Sequence, residues 1–372
     1  MINFYGPINF LGYGVHTYNL MKAYSKLNSD ISLTPPFGRV AWKDNLIKVW
    51  TENRLKMSKL DTGIMIFDAP FLNQFSGAFR IGFPVFETNK IDELSKTTMR
   101  NCDWLLTPSN WAKEVLKAGV NYAVDVVPEG FDPNIFYPKR GIEYKLHRLL
   151  KRDYITFVHV GKYEKRKGTL DIFDCFDKAF AGSEQKVLLK AHIQNFFDES
   201  WRDSSTRFLV DKGFISQGSR YFKKGNLSIE LIIGSFSTFL EMASFYESGD
   251  FGIWLSKAEG WNLPLLECIA CGIPALTTNV TGMTEYLGNY PSELKIENYE
   301  REIADDGKFY KGDKGEWYLP NQEEVISKLQ SMAHNYEDYL RKSETCSKAV
   351  QDFTWGNAAK NLDRILKKLD KN

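Results

Sequence analysis

Apolar runs of strand length alternate with segments of helical periodicity along most of the chain. Five such runs are Ile2–Phe4, Ile64–Phe67, Phe83–Phe86, Ile155–Gly161 and Phe251–Leu255. Several of them lead through a short turn into apolar residues at helical spacing. Strand and helix in alternation are typical of a parallel, doubly wound sheet, so the pattern predicts an α/β protein.

A charged connector divides the pattern into two parts. Residues 139–153 contain six Lys and Arg and are predicted to be helical. Because a chain of 372 residues is longer than a single hydrophobic core usually accommodates, we predict two domains, residues 1–140 and 150–353. The basic connector is interpreted as a solvated face, with contact to anionic lipid or a charged acceptor as the alternative. Residues 195–230 show little periodicity and are interpreted as a variable excursion.

Composition argues against several classes of protein. The formal net charge is +1, so no overall positive field favours nucleic acid. No apolar run approaches the roughly 18–20 residues of a membrane-spanning helix. Five cysteines without a framework spacing indicate a reducing compartment, and we therefore expect a cytoplasmic protein. Cys268 and Cys271 fall inside a predicted helix, residues 264–271, so no metal or redox role is expected for them.

The most informative segment is Ser256–Glu267, which joins the strand at 251–255 to the helix that follows. It holds two carboxylates, Glu259 and Glu267, eight residues apart. Main-chain N–H groups in this turn would point out of the carboxyl edge of the sheet, where α/β proteins bind anions. Acidic side chains beside such donors suit a ligand with both phosphate and hydroxyl groups, such as a nucleotide sugar. The alternative is a helix N-terminus that merely favours carboxylates. The main-chain donors are those of Gly260, Trp261, Asn262 and Leu263.

Two further strand-to-helix turns have the chemistry of phosphate sites. Gly12 and Gly14 follow the first strand, and glycine lets the backbone approach a phosphate closely. Lys162 and Lys167 flank a basic turn after the strand at 155–161, and each ammonium could stabilise a phosphate oxygen. The alternative for the second turn is an exposed basic loop.

Segment Ser256–Glu267 closely resembles the Glu-x7-Glu signature of the retaining glycosyltransferases of the GT-B fold, family 4 in particular. The resemblance extends to residues 108–138, whose order of Pro, Gly and Asp matches the end of the family's first domain. It implies two Rossmann-like domains facing across a cleft, with a terminal helix, about residues 354–372, packed back on the first domain. It also implies that Glu259 contacts the donor sugar and Glu267 the ribose hydroxyls.

The same resemblance places the amides of residues 260–263 beside the sugar and diphosphate, and Gly12 and Gly14 near the diphosphate. Residues 233–236 would then hold the nucleotide base. Two positions depart from the family pattern. Lys162 stands where the family has Arg, which keeps the charge but loses the bidentate fork. Glu87 stands where many members have His; it could orient the acceptor hydroxyl or the sugar, or cap the next helix.

The resemblance therefore implies a retaining glycosyltransferase that moves a sugar from a nucleotide-diphosphate sugar to an acceptor hydroxyl. A glycan is the default acceptor, peripheral membrane contact is possible, and a nucleic-acid acceptor is left open but not favoured. No Asp-x-Asp pair is present, so we expect no metal and no cofactor besides the donor substrate. The alternatives are a catalytically weak nucleotide-sugar-binding subunit and another GT-B enzyme, an epimerase or a phosphorylase.

Overall fold

Six strands of the first part of the chain form one parallel sheet. The computed structural model describes residues 1–36, 40, 44–120, 123–312 and 314–369. The first sheet contains β1 (Ile2–Tyr5), β2 (Ile31–Thr34), β3 (Thr62–Ile66), β4 (Phe79–Phe83), β5 (Trp104–Thr107) and β6 (Val124–Val126). They hydrogen-bond in the order β2-β1-β3-β4-β5-β6, with every neighbouring pair parallel. The helices between them are α1 (Gly12–Tyr24), α2 (Asn45–Asn53), α3 (Glu93–Met99) and α4 (Asn110–Val120).

A second sheet follows the connecting helix α5 (Ile142–Arg152). Its strands are β7 (Ile155–Lys162), β8 (Val187–Gln194), β9 (Ile215–Ser216), β10 (Tyr221–Lys224), β11 (Leu227–Ile232), β12 (Phe251–Trp254), β13 (Ala275–Thr278) and β14 (Lys295–Ile296). They lie in the order β14-β13-β12-β7-β8-β11-β10-β9. The pairs from β14 to β11 are parallel, and only β9 and β10 at one edge are antiparallel.

Helices cover both sheets, and a separate hairpin follows the second one. The helices are α6 (Thr169–Phe180), α7 (Trp201–Asp211), α8 (Phe239–Glu247), α9 (Leu263–Ala270), α10 (Gln322–His334), α11 (Tyr336–Arg341), α12 (Ser343–Ala349) and α13 (Trp355–Leu369). The hairpin pairs β15 (Tyr299–Ile303) with β16 (Glu316–Pro320) in antiparallel register. The predicted α/β class with parallel sheets is confirmed.

The central strands of the second sheet explain why continuous apolar runs predicted them. Six successive residues of β7 from Ile155 are buried, as are all four residues of β12. A strand buried on both faces needs apolar side chains at every position rather than at alternate ones. Phe157 packs against Phe176 and Phe180 of α6, which ties this strand to its crossover helix.

The predicted strand at 83–86 is wrong in its bounds. The strand is β4, which ends at Phe83. Pro84 has no N–H group to donate to a neighbouring strand, so the ladder stops there. Residues 84–86 therefore leave the sheet at its carboxyl edge, and this places them against the second domain.

Residues 195–230 are not an irregular excursion but part of the second sheet and its helices. They contain α7 and the three strands β9, β10 and β11, and β11 pairs in parallel with β8. Phe222, Leu227 and Ile229 are fully buried there. Short antiparallel strands at a sheet edge bury only alternate residues, so their apolar pattern is too brief to stand out in the sequence.

Three of the six basic residues of the connector do not lie on a solvated face. Lys145 in α5 is 5% exposed and donates to the carbonyl of Gly272 at 2.7 Å. Arg148 and Arg152 both bind the buried carboxylate of Asp250, at 2.5 and 2.8 Å. The interpretation as a free basic surface is wrong for these three residues, because they fix α5 to the second domain. Within the described residues, no helix combines the length and the apolar character needed to cross a bilayer.

The C-terminal helix returns to the first sheet's domain. Helix α13 packs against α1. Just before α13, Phe131 and Thr354 form a parallel bridge, with hydrogen bonds from Phe131 N to Phe353 O and from Trp355 N to Phe131 O. At Gly130 an added Cβ would lie 2.3 Å from the Thr354 carbonyl carbon. The absence of a side chain at Gly130 is therefore what lets the two segments meet.

We expect Gly130→Ala to destabilise the protein by about 1–3 kcal/mol, because the added methyl overpacks the junction. Proteolysis and thermal unfolding would measure the effect, with faster cleavage near residue 354. Gly141→Ala is the matched control, since an added Cβ there meets no atom within 4 Å. Equal losses in both variants would contradict the assigned role of the junction.

Candidate functional site

Three features hold the turn between β12 and α9 in place: the backbone conformation of Asn262, packing against Val85 and packing against Gly282. Asn262 caps α9 with a left-handed backbone, φ +75°, a conformation that Asn tolerates better than most residues. A Cβ added at Gly260 would lie 2.4 Å from Val85 Cγ1, and one at Gly282 only 1.9 Å from the Gly260 carbonyl oxygen. Close packing of backbone against backbone thus fixes where the amides of this turn point.

Glu259 lies in this turn as a buried carboxylate, 3% exposed. Lys167 Nζ is 2.5 Å from Oε1, and Arg166 Nη1 is 2.8 Å from Oε2. The main-chain N–H of Glu259 donates to Thr281 Oγ1 at 2.8 Å. Burial by itself would raise the pKa of this carboxyl, but the two cations outweigh it and lower the pKa to about 2. Glu259 is therefore ionised at neutral pH.

Arg166 is a central residue of the site that the sequence interpretation missed. Its guanidinium also donates to the Ala258 carbonyl and to Glu164 Oε1, both at 2.7 Å, and it is 6% exposed. Nη2 lies 3.5 Å from Glu87 Oε1 of the first domain. In the sequence, Arg166 is the middle one of three adjacent basic residues, Lys165 to Lys167. Nothing in the pattern distinguished it from a solvent-exposed side chain.

Lys162 ends β7 at the carboxyl edge of the second sheet. Its ammonium is 2.9 Å from Glu164 Oε2. It also lies over two aromatic rings, 4.7 Å from the centroid of Phe197 and 4.4 Å from that of Phe309. Lys162 and Lys167 thus belong to one group of charges, which contains Glu87, Glu164 and Glu259 and the cations Lys162, Arg166 and Lys167.

Glu87 approaches this group from the first domain. Its side chain is 32% exposed, and the hydroxyl of Tyr310 donates to Oε2 at 2.9 Å. The alternative role as a cap of the next helix is wrong, since Asp92 caps α3 by accepting from the Ser95 N–H. The carboxylate of Glu87 instead faces Tyr310 and Arg166 of the second domain.

Glu267 is on α9, buried to 5% exposure. The hydroxyl of Tyr246 donates to its Oε2 at 3.2 Å. Burial raises its pKa from an ordinary 4.5 to about 8, with the bond from Tyr246 acting weakly in the other direction. Helix α9 runs Leu263–Ala270, one residue earlier at each end than the predicted 264–271, and Glu267 starts its second turn. The two carboxylates of the signature are thus in opposite electrostatic states.

The glycine turn of the first domain forms the N-terminus of α1. An added Cβ at Gly14 would lie 2.3 Å from the backbone of Asn9, whereas at Gly12 it would meet no atom within 4 Å. Gly14 therefore serves the packing of the turn itself, and Gly12 leaves open space at the helix end. Tyr13 between them donates to the carbonyl of Val85, the same residue that packs on Gly260.

The side chains of Trp261 and Leu263 serve packing. Trp261 is 2% exposed and lies against Tyr286 and Phe353. Leu263 is 7% exposed and belongs to the main core. Main-chain groups are thus what these two residues can offer a ligand, as the sequence interpretation expects for residues 260–263.

A cleft of about 560 Å³ opens between the two domains. It is lined on one side by Phe10, Val15, Tyr18 and Asp44 and on the other by His192, Gln194, Ser235, Phe236, Ser237, Thr238, Phe239 and Met242. Ser235 and Phe236 belong to the segment for which the resemblance implies contact with the base. The cleft has room for a nucleotide.

One family model matches part of the chain, from within the second domain into the C-terminal helix. Residues 240–362, from α8 to α13, match the model of a family described as "Family 4 Glycosyltransferase in conflict systems". Comparison of the sequence with curated proteins finds no match.

The structure is similar to solved glycosyltransferases over its whole length. Sucrose-phosphate synthase from Thermosynechococcus elongatus has a TM-score of 0.70 at 13% identity, covering 100% of this chain and 99% of that chain. The UDP-forming alpha,alpha-trehalose-phosphate synthase from Burkholderia vietnamiensis has a TM-score of 0.64 at 12% identity, covering 99% and 98%. Anabaena HepE in complex with UDP-glucose also has a TM-score of 0.64 at 12% identity, covering 99% of each chain. The predicted GT-B fold and the predicted likeness to family 4 glycosyltransferases are confirmed.

We expect Glu267→Gln to remove a pH dependence of stability. The folded pKa of about 8 lies above the ordinary 4.5. The contribution of this carboxyl is therefore full below about pH 4 and is lost as the pH rises through 8. As the pH rises from about 5 to about 8, the free energy of unfolding of the variant should increase relative to that of wild type, by up to about 1.4 kcal/mol per pH unit.

Urea unfolding at the two pH values measures this difference. Glu184→Gln, at an exposed carboxylate, is the control and should leave the difference from wild type constant. A constant difference for Glu267→Gln as well would show that its carboxyl is not held in the neutral form.

Proposed function

We propose that the protein is a retaining glycosyltransferase that moves a sugar from a nucleotide-diphosphate sugar to an acceptor hydroxyl. One observation carries the proposal: Glu259, the first carboxylate of the signature, is buried and ionised between Lys167 and Arg166. Burying an ionised carboxylate costs desolvation free energy that packing alone rarely offsets. Groups with strongly shifted pKa values are typical of functional sites.

The donor is assigned to the second domain. Glu259 would accept hydrogen bonds from hydroxyls of the sugar, and the amides of residues 260–263 would bind its diphosphate. Glu267 would bind the ribose hydroxyls. Among the described residues, Tyr246 is the one hydrogen-bond donor to this carboxyl, so acceptor sites remain for a ligand.

Charge stabilisation of the leaving diphosphate is assigned to Lys162 and Lys167. Both stand at the carboxyl edge of β7, and the N-termini of α1, at Gly12, and of α9, at Leu263, add the positive ends of two helix dipoles. Preorganised positive charge acts on the group where negative charge develops. We therefore propose that transfer needs no metal and no cofactor besides the donor.

The acceptor is assigned to the side of the cleft formed by the first domain. Glu87 would orient the acceptor hydroxyl or the transferred sugar, held by the hydrogen bond from Tyr310. With retention, the acceptor attacks from the side of the leaving group, and a phosphate oxygen takes its proton as the new glycosidic bond forms.

A glycan remains the proposed acceptor. A nucleic-acid acceptor, which the formal net charge of +1 does not favour, is the second acceptor to test. A cytoplasmic location and a peripheral contact with membranes are part of the proposal. The connector is not its basis, since its main cations bind within the protein.

We expect one nucleoside diphosphate, with UDP the first to test, to raise the melting temperature of wild type by several degrees. The stabilisation should be lost in Glu267→Ala, because the ribose then loses the carboxyl group proposed to bind it. A thermal-shift panel of UDP, GDP, ADP and their common sugar conjugates measures it, each variant against its own unliganded melting temperature. Glu184→Ala is the control, and no shift with any nucleotide would contradict the proposal.

We expect the product to keep the anomeric configuration of the donor, and transfer to persist in EDTA. Proton NMR of the first product formed reports the configuration before any mutarotation. Activity with and without EDTA tests the metal. An inverted product, or activity restored only by added Mg²⁺ or Mn²⁺, would contradict this part of the proposal.

A further inference from the structure

Two consecutive residues of one loop contact charged side chains on opposite sides of the cleft. The loop joins β15 to β16, and its described residues are 304–312, 314 and 315. Phe309 packs over Lys162 of the second domain, and Tyr310 donates to Glu87 of the first. The sequence interpretation assigns both charged residues to catalysis but gives this loop no role.

Phe309 acts together with Phe197 on the ammonium of Lys162. The two rings meet edge to face, 5.6 Å apart, with Nζ 4.4 and 4.7 Å from their centroids. An ammonium over ring faces is attracted by the ring quadrupoles. Lys308 and Asp198, neighbours of the two rings, form an ion pair at 2.7 Å that ties their loops together.

These rings are not in place to bury apolar surface. Phe197 is 60% exposed and Phe309 is 54% exposed. Exposed aromatic side chains gain little from the hydrophobic effect, so their shared contact with Lys162 is what the arrangement achieves. A lysine has a flexible stem and no planar fork, so its charge needs such outside contacts to keep one position.

Tyr310 fixes the carboxylate of Glu87 from the other side of the loop. Its ring lies against the buried Trp317, 5.4 Å between centroids, and its hydroxyl donates to Glu87 Oε2 at 2.9 Å. The ring is thus anchored in the second domain while its hydroxyl reaches the first. Glu87 receives its orientation from a residue of the opposite domain.

The hairpin is docked firmly on the first domain next to Glu87. Asn89 and Glu316 exchange two hydrogen bonds, at 2.9 and 3.0 Å. Gly315 has φ +105°, and an added Cβ there would lie 2.8 Å from Asn89 Oδ1 and 3.0 Å from Thr88 Cβ. This close approach fixes the position of the loop relative to the first domain.

We propose that the loop between β15 and β16, in its described residues 304–312, 314 and 315, is a positioning loop for glycosyl transfer. Phe309, with Phe197, holds the ammonium of Lys162 where the diphosphate of the donor binds, and Tyr310 holds the carboxylate of Glu87 at the acceptor. The inference rests on the proposed function. It gives a physical reason why a lysine can stand at 162 where the resemblance implies an arginine. The two rings restrict the position of the ammonium, whereas the planar fork of a guanidinium is preorganised by its own geometry.

The selectivity for UDP over uridine tests the role of the rings, because only the diphosphate reaches Lys162. We expect the double variant Phe197→Leu/Phe309→Leu to bind UDP roughly tenfold more weakly by calorimetry, with uridine unchanged. Among single variants, Phe309→Tyr keeps an aromatic ring and should therefore keep more of the UDP affinity than Phe309→Leu. Phe196→Leu, at an equally exposed phenylalanine beside Phe197, is the matched control. If the thermal-shift panel selects another nucleotide, its diphosphate and nucleoside replace this pair.

A double-mutant cycle separates positioning from a structural effect. In a Lys162→Met background the two Leu substitutions should cost no further UDP affinity. A further loss there, or an equal loss of UDP and uridine affinity in the original background, would overturn the role of the rings.

Turnover tests Tyr310. We expect Tyr310→Phe to lower kcat with little change in UDP affinity, and to add nothing in a Glu87→Gln background. A change in UDP affinity alone, or additive losses with Glu87→Gln, would overturn this part. If wild type binds no nucleotide, the proposed function fails and this proposal with it. Nucleotide binding with unchanged selectivity in the ring variants overturns the positioning role alone.

Discussion

The buried contact of Glu259 with Lys167 and Arg166 is the constraint around which both domains are arranged. Removing a carboxylate and two cations from water is costly, and only close geometry with further hydrogen bonds offsets the cost. Those bonds come from the main chain of Ala258, from Thr281 and from Glu164. The strand-to-helix turn, the basic turn after β7 and the 281–285 segment must all meet at one point for this to succeed.

The same charges link the two domains. Arg166 faces Glu87 across the cleft, Gly260 packs on Val85, and the β15–β16 hairpin docks beside Asn89. Three cations and three carboxylates lie together, so the cluster has no formal excess of charge before a donor binds. In the proposed function, the donor diphosphate would compete with these protein carboxylates for Lys162 and Lys167, and the N-termini of α1 and α9 would add partial positive charge.

Several elements were predictable because their signals are local. Strands β7 and β12 are buried on both faces and therefore appear as continuous apolar runs. Glu259, Glu267, Lys162 and Lys167 stand at fixed spacing in single turns. Arg166 and Tyr310 were missed for the opposite reason. Arg166 is one of several adjacent cations, and Tyr310 acts through Glu87, 223 residues away in sequence.

The sequence by itself determined the α/β alternation and the residues of the two strand-to-helix turns, because hydrophobic period and turn chemistry act over a few residues. Only the tertiary structure decided which charges pair and which are solvated. The connector shows this: its sequence has the composition of a surface helix, but Arg148 and Arg152 both bind Asp250. Glu259 and Glu267 show it too, since they share one signature but have pKa values of about 2 and about 8. Burial and the distance to an opposite charge set those values, and both depend on segments far apart in the chain.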